Sequence, residues 1–343
     1  KAFCNYIRQL DPYKSPINIH THPAQRTAIF TTLLGFNHLD GPSLQIVNPV
    51  DTHAETLNWI KQSKAKEHKW VVNLDEIGPS FLGVKPDGDD YAHDIIRKQA
   101  LWGNLMAGGG GVEWYFGYRY PNSDLTAQDW RSRDRMWDLT RYALQFFHQY
   151  LPFWQMQNAD TLTAASNDFC LALTGKLYAV YLPEGGTTSL NLGDSTGTYA
   201  VQWYNPREGG PLQAGTVRQI VGSGVQSIGL PPQNNSEDWV CLITNTGNID
   251  HSIAAKTNTS SEEYFSIYPN PFLNQIKVQA NKPVKFPFII TLRNLDGKPV
   301  FQTSIDNEKF SKFNLNTNSV KPGLYFLQIN HGSHTIIRKL IKY

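Results

Sequence analysis

The feature that most limits what this chain can fold into is a change in the period of its apolar residues near position 158. Before it, short apolar strands alternate with amphipathic helical stretches. After it, apolar residues recur at every second position between glycine turns, and no helical period returns. A chain that switches in this way is built from layers of different kinds, and its 343 residues suffice for two or three domains. The expected class is multidomain, an α/β segment over 1–157 followed by β-sandwiches over 158–246 and 264–343, the two joined by a polar linker over 247–263.

Within 1–157, Ala2 to Leu10 reads as the end of an amphipathic helix, stopped by Asp11-Pro12. Ile17 to His22 and Ser43 to Val47 predict short strands. Lys69 to Leu74 is a nearly continuous apolar run, as expected of a strand buried on both faces of a parallel sheet. Thr52 to about Glu67 predicts a helix, with Thr52 capping and Glu55 answering it from the fourth position. Tyr91 to Met106 and Asp134 to Tyr150 predict two more helices, and Val112 to Phe116 a last strand. The stretch Asp124, Asp129, Arg131, Arg133 and Asp134 reads mainly as a solvated helix start. Polar residues gather at the C-terminal ends of the strands, which is where a (β/α)8 barrel carries its chemistry. Four strands cannot close a barrel that needs eight. The fold class expected is therefore a partial (β/α)8 barrel, its second half, followed by two β-sandwich domains. Such a half-barrel should have an exposed apolar face and open edges.

Composition removes several function classes. Basic and acidic residues number 31 and 29, with no basic stripe of the kind nucleic acid requires, so no nucleic-acid partner is expected. No apolar run approaches the ~18 residues of a transmembrane segment. The run Gly108 to Gly111 lacks the following Lys-Ser or Lys-Thr of a phosphate loop, and its expected role is close packing. No cofactor is expected, and no metal site. Cys4, Cys170 and Cys241 lie far apart; the last two sit on what read as the first and last strands of one domain, where a disulfide or two buried thiols both fit. Lys1 is not a start methionine and no charged-then-apolar leader follows it, so further sequence upstream is expected.

Three motifs near the C-terminus carry an address. Ser266-Ile267-Tyr268-Pro269-Asn270-Pro271-Phe272 opens the last segment, Gly323-Leu324-Tyr325-Phe326 precedes its penultimate strand, and Arg338-Lys339-Leu340-Ile341-Lys342-Tyr343 ends it. Together they resemble the C-terminal sorting domain of type IX secretion in Bacteroidetes. The resemblance implies that the export machinery reads 264–343, leaving the protein secreted or attached at the outer-membrane surface.

Upstream, Tyr6 to Tyr13, Leu39 to Gln45, Leu74-Asp75-Glu76-Ile77-Gly78-Pro79, Lys98 to Gly103 and Gly111 to Tyr118 resemble the second half of apiosidase-like and related (β/α)8 glycoside hydrolases. Tyr178 to Tyr181 and Trp203-Tyr204-Asn205-Pro206-Arg207 resemble the collagen-binding-type module found in those proteins. The resemblance implies a secreted glycoside hydrolase acting on a polysaccharide or oligosaccharide.

Glycoside cleavage needs two carboxyl groups flanking the scissile bond. By resemblance Glu76 ends strand seven, the position of the nucleophile in retaining enzymes of this barrel class. Asp75, its neighbour, should point the other way, so that one of the two faces the site. The partner carboxyl would end strand four, upstream of Lys1, and this chain alone is therefore expected to be inactive. Substrate-binding candidates are His20 and His22, two apart on one strand, with Gln45, Glu113 and Trp114; Trp114 or Tyr115 could stack on a sugar ring. The alternative reading is a non-catalytic surface protein that binds a glycan or matrix partner.

Overall fold

The computed structural model describes residues 1–126, 129–247, 265–270, 272–281, 283–284, 286–294, 298–306, 312–331 and 334–342. The chain divides into two compact units, Lys1–Ala255 and Lys256–Tyr343. The linker read over 247–263 lies outside the described residues except for Gly247.

The first unit begins with α1 (Ala2–Leu10) and an all-parallel sheet in the order β1 (Asn18–His20), β2 (Gly41–Ile46), β3 (Asn73–Ile77), β4 (Gly111–Val112). Helices α2 (Arg26–Thr31), α3 (Thr52–Lys64), a π-helical stretch (Ile96–Trp102) running into α4 (Gly103–Met106), and α5 (Asp134–Tyr150) accompany the strands. Leu44, Ile46, Leu74 and Ile77 enter one core with Phe30, Trp59, Trp70, Trp102 and Phe146. The other face carries Asn18, His20, Ser43, Gln45 and Asn73, exposed or half-buried. The sheet is thus open, as expected, but its uncovered face is polar rather than apolar. No further strand pairs with β1 or β4 among the described residues.

Two local expectations are corrected. The third strand begins at Asn73, not Lys69: Trp70 and Val72 are buried ahead of the ladder, Trp70 by aromatic packing against Phe30 and Trp59. Helix α3 begins with Asp51 at its N-cap and no side-chain cap; Glu55 instead pairs with Arg26 at 2.9 Å.

A six-stranded antiparallel sheet follows, in the order β10 (Gln219–Val221), β9 (Thr198–Tyr204), β12 (Trp239–Asn245), β7 (Leu177–Leu182), β6 (Phe169–Leu173), β5 (Gln157–Asn158). The pair β8 (Ser189–Asn191) and β11 (Val225–Ser227) forms a second, smaller sheet. One face of the large sheet, with Cys170, Tyr178, Val180, Trp203 and Cys241, packs on Leu190 and Ile228. Its other face, with Phe169, Leu171, Ala179, Tyr181, Tyr204 and Leu242, joins the core of the α/β segment. Tyr181 stacks on Trp102 at 5.0 Å, and Phe169 on His53 at 3.9 Å. At the same junction Arg97 grips Asp238 through Nε and Nη2 at 3.1 and 2.9 Å, while Tyr181 donates to Asp238 at 2.7 Å and Arg207 at 3.0 Å.

Cys170 and Cys241 lie opposite Val180 from its two sides. They are two strand spacings apart, roughly 9–10 Å, beyond the ~7 Å that a disulfide spans. All three cysteines are free. Burial holds the thiols of Cys170 and Cys241 in their protonated form, its effect on Cys170 reinforced by Asp160 and Asp168. In the folded protein a thiol reagent should therefore modify Cys4 alone, and in denaturant all three; rapid native labelling at Cys170 or Cys241 would contradict this burial.

The second unit packs the sheets β13 (Phe265–Tyr268), β14 (Gln275–Ala280), β17 (Lys312–Asn316) and β16 (Pro299–Ile305), β15 (Phe288–Arg293), β18 (Gly323–His331), β19 (His334–Lys342) around Ile276, Val278, Ile290, Leu292, Leu327, Ile329 and Leu340. The opening motif clasps the last strand. Asn270 donates to Lys339 O at 3.0 Å and accepts from Ile341 N at 2.9 Å, while Phe272 N donates to Ile341 O at 2.8 Å. Lys342 lies over the Phe272 ring and donates to Leu273 O. Head motif and basic last strand are thus one structural element.

Candidate active site

Strands β1 to β4 end on the same side of the sheet because they are parallel. Ser43 pairs with Asn73 and Leu44 with Leu74, but Gln45 pairs with Glu76, which leaves Asp75 as an extra residue in the ladder. This bulge resets the alternation of β3. Both acidic side chains consequently reach His20: Asp75 Oδ2 lies 3.0 Å from Nδ1, and Glu76 Oε1 lies 3.6 Å from Nε2. The expectation that only one could face the site assumed a regular strand.

The two carboxylates address opposite edges of one imidazole ring, so the three residues form a chain rather than a metal-binding convergence. Among the described residues no group of three His, Cys, Asp or Glu is arranged to hold a metal. His20, Asp75 and Glu76 remain partly open, with side-chain exposures of 39%, 20% and 32%. Asp75 Oδ1 is buried and accepts no hydrogen bond among the described residues, a costly arrangement for a carboxylate oxygen. Beside Glu76, burial together with the charges of Glu76 and Asp124 raises the Tyr115 phenol above its ordinary pKa. Its hydroxyl stays a donor and is held by Ser80 O.

The other candidates divide. Gln45 is half-buried, level with Glu76, and its carbonyl accepts from Arg26 Nη1 at 2.9 Å. Glu113 follows β4 and is exposed; with Asn18, Ser43, Asn73 and Asp75 it borders a cavity of about 430 Å³. His22 is corrected: the strand ends at His20, and His22 accepts from Ala24 N at 3.3 Å as the cap of the short turn Pro23–Gln25. Proline at position 23 cannot continue the ladder, which is why the two histidines do not share a face. Trp114 is buried toward α5, its indole N–H donating to Thr140 at 2.9 Å, so it is engaged in packing rather than offered as an open stacking platform. Asn18, Ser43 and Asn73 were not singled out, although their period-two spacing to His20, Gln45 and Asp75 was visible.

Arg133 is a further correction, being fully buried rather than solvated. It lies over the Phe116 ring at 4.3 Å and donates to Val84 O and Asn122 O at 3.0 and 2.8 Å. It thereby fixes the loops that follow β3 and β4.

Residues 266–343 match the family model described as "Secretion system C-terminal sorting domain", and residues 159–245 match "Putative collagen-binding domain of a collagenase". No curated protein matches the chain. Among solved structures the chain is similar to a glycoside hydrolase family 5 protein from Bacteroides vulgatus ATCC 8482, at 17% identity and a TM-score of 0.52 over 74% of this chain and 60% of that one. It is also similar to a protein described as "Glycoside hydrolase", at 14% identity and a TM-score of 0.53 over 72% of this chain and 61% of that one. The chain spans about three fifths of the length of these two proteins. At such identities the likeness is one of fold. The sorting domain directs the chain through type IX export to the cell surface or the medium. Among the described residues no helix is long and apolar enough to cross a membrane.

Proposed function

We propose that the chain is the C-terminal part of an apiosidase-like glycoside hydrolase that acts on a complex extracellular polysaccharide, with Glu76 as its nucleophile. In this reading 1–157 is the second half of a (β/α)8 barrel, 158–246 a collagen-binding-type sandwich, 247–263 a linker and 264–343 the sorting domain. The observation that carries it is the pairing of Glu76 with His20 on a polar, open face at the C-terminal ends of parallel strands. The fold likeness to glycoside hydrolases and the export address support it.

Glu76 would attack the anomeric carbon, while a carboxyl group from an upstream strand protonates the leaving oxygen. Asp75 would accept from His20 Nδ1 and set the plane of the ring, whose Nε2 edge faces Glu76 and can donate to that carboxylate only as N–H. Tyr115, kept protonated, would lie beside Glu76 as a neutral neighbour. Gln45 and Glu113 would reach sugar hydroxyls from the flanking strands.

The test compares this chain with a longer protein that includes its upstream sequence, following reducing-end release on a panel of plant and microbial polysaccharides. The longer protein should hydrolyse at least one of them, and this chain none. Hydrolysis by this chain at a comparable rate would refute an upstream acid/base. Glycan binding without turnover in both would favour a surface adhesin instead.

A further inference from the structure

A second concavity, of about 400 Å³, lies at the opposite end of the parallel sheet from Glu76. Strand direction places it there: Lys69 and Gly108, which line it, precede β3 and β4, whereas Glu76 lies near the end of β3. Its walls are α3, the end of α4 and residues 154–158, all within the first unit.

Lys61, Lys64 and Lys69 line this groove, and among the described residues no carboxylate does. The chain as a whole is nearly neutral, with a net charge of +2, so three cations in one concavity are a local concentration of charge. The helix dipole accounts for Lys61 and Lys64 in the last turn of α3. It does not account for Lys69, which lies beyond the helix, nor for the aromatic side chain beside it. Trp154 is 58% exposed although it stands edge-to-face against Phe153, with ring centroids 5.3 Å apart. That support presents an indole ring to the groove in a set orientation. Gln155, Gln157 and Asn158 add amide donors and acceptors, and Lys64 Nζ is tied to Gln157 Oε1 at 2.9 Å. Buried Ile60 and Met156 give it an apolar floor.

We infer that this groove binds an acidic saccharide. A flat, supported indole suits the apolar face of a sugar ring, amides suit its hydroxyls, and three ammonium groups with no carboxylate partner among the described residues suit its carboxylate or sulfate. The site is independent of Glu76 and would hold a polymer at a second place on the same chain.

The test titrates the whole chain with three hexasaccharides, a polyuronate, a sulfated glycan and a neutral glucan, following binding by calorimetry. An acidic hexamer should bind, more weakly as salt is raised to about 0.5 M, and the neutral one should bind at least about tenfold less tightly. Preference between the two acidic probes identifies carboxylate or sulfate as the recognised group; equal affinity leaves the class as stated. Lys61→Gln/Lys64→Gln/Lys69→Gln and, separately, Trp154→Ala should each weaken binding about tenfold without moving the thermal midpoint. Binding of neither acidic probe, equal binding of the neutral one, or unchanged affinity in the lysine triple variant would overturn the site. Retention that depends on the lysines but not on Trp154 would overturn it too, since it would reflect unspecific charge attraction. Turnover is not read, so the outcome does not depend on the fate of the Glu76 proposal.

Discussion

In the longer enzyme proposed above, Glu76→Gln should lower kcat by on the order of 10³–10⁵-fold while leaving KM nearly unchanged. The carboxamide keeps the volume and the neighbourhood of His20 but cannot attack an anomeric carbon. Glu76→Gly should be equally inactive and should regain part of its rate with azide, which can enter the vacated space and form the bond that the side chain no longer makes. Asp75→Asn should cost less, because in the proposed mechanism Asp75 acts only through His20 Nδ1, 3.0 Å away. Near-normal turnover of Glu76→Gln on any substrate of the parent would remove Glu76 from the mechanism and transfer the role to Asp75 or Glu113.

Asp238→Ala should lower the stability of the first unit by about 3–5 kcal/mol, because it leaves buried cations without their counterion. Arg97 and Asp238 are almost wholly buried, and Arg207 and Tyr181 converge on the same carboxylate. For a unit of this size that loss corresponds to a fall of about 10 °C in thermal midpoint. Burial by itself would raise the Asp238 carboxyl, yet Arg97, Tyr181 and Arg207 together hold it below its ordinary pKa. A depressed carboxyl contributes stability above its unfolded value, near 4, and loses that contribution as pH falls through the folded value. Acidification below about pH 4 should therefore destabilise the native protein more steeply than the variant. A midpoint unchanged by the substitution would mean that the cluster contributes no net stability.

Much of the architecture was legible because it rests on period alone. Helix α1 occupies the stretch marked out between the chain start and Asp11-Pro12, and the polar C-terminal ends of the strands share one face, as a parallel sheet requires. What escaped the sequence were departures from regular geometry. Nothing in Leu74-Asp75-Glu76-Ile77 distinguishes a bulge from an unbroken alternation, because the extra residue is defined only by the register of β2 beside it. The fate of His22 was legible in Pro23, and was missed by extending the strand across it. Arg133 looked like a surface charge because its partners are carbonyl groups of distant loops, which carry no side-chain signature. Leu177 to Leu182 lies in the stretch whose apolar residues recur at every second position, yet it holds no charged residue, and all six positions are buried. A run apolar at every position is covered on both faces.

That doubly covered sheet bears on how such proteins can be recombined. The boundaries of the matched module, 159 and 245, look like natural points for cutting and grafting. Yet a graft made there would carry Phe169, Leu171, Ala179, Tyr181 and Tyr204 into solvent along one face. Gene duplication or shuffling that moved the module alone would deliver an insoluble protein unless a new host supplied a matching apolar surface. The neighbour that covers this face must then travel with it, so the heritable unit is the pair rather than the module.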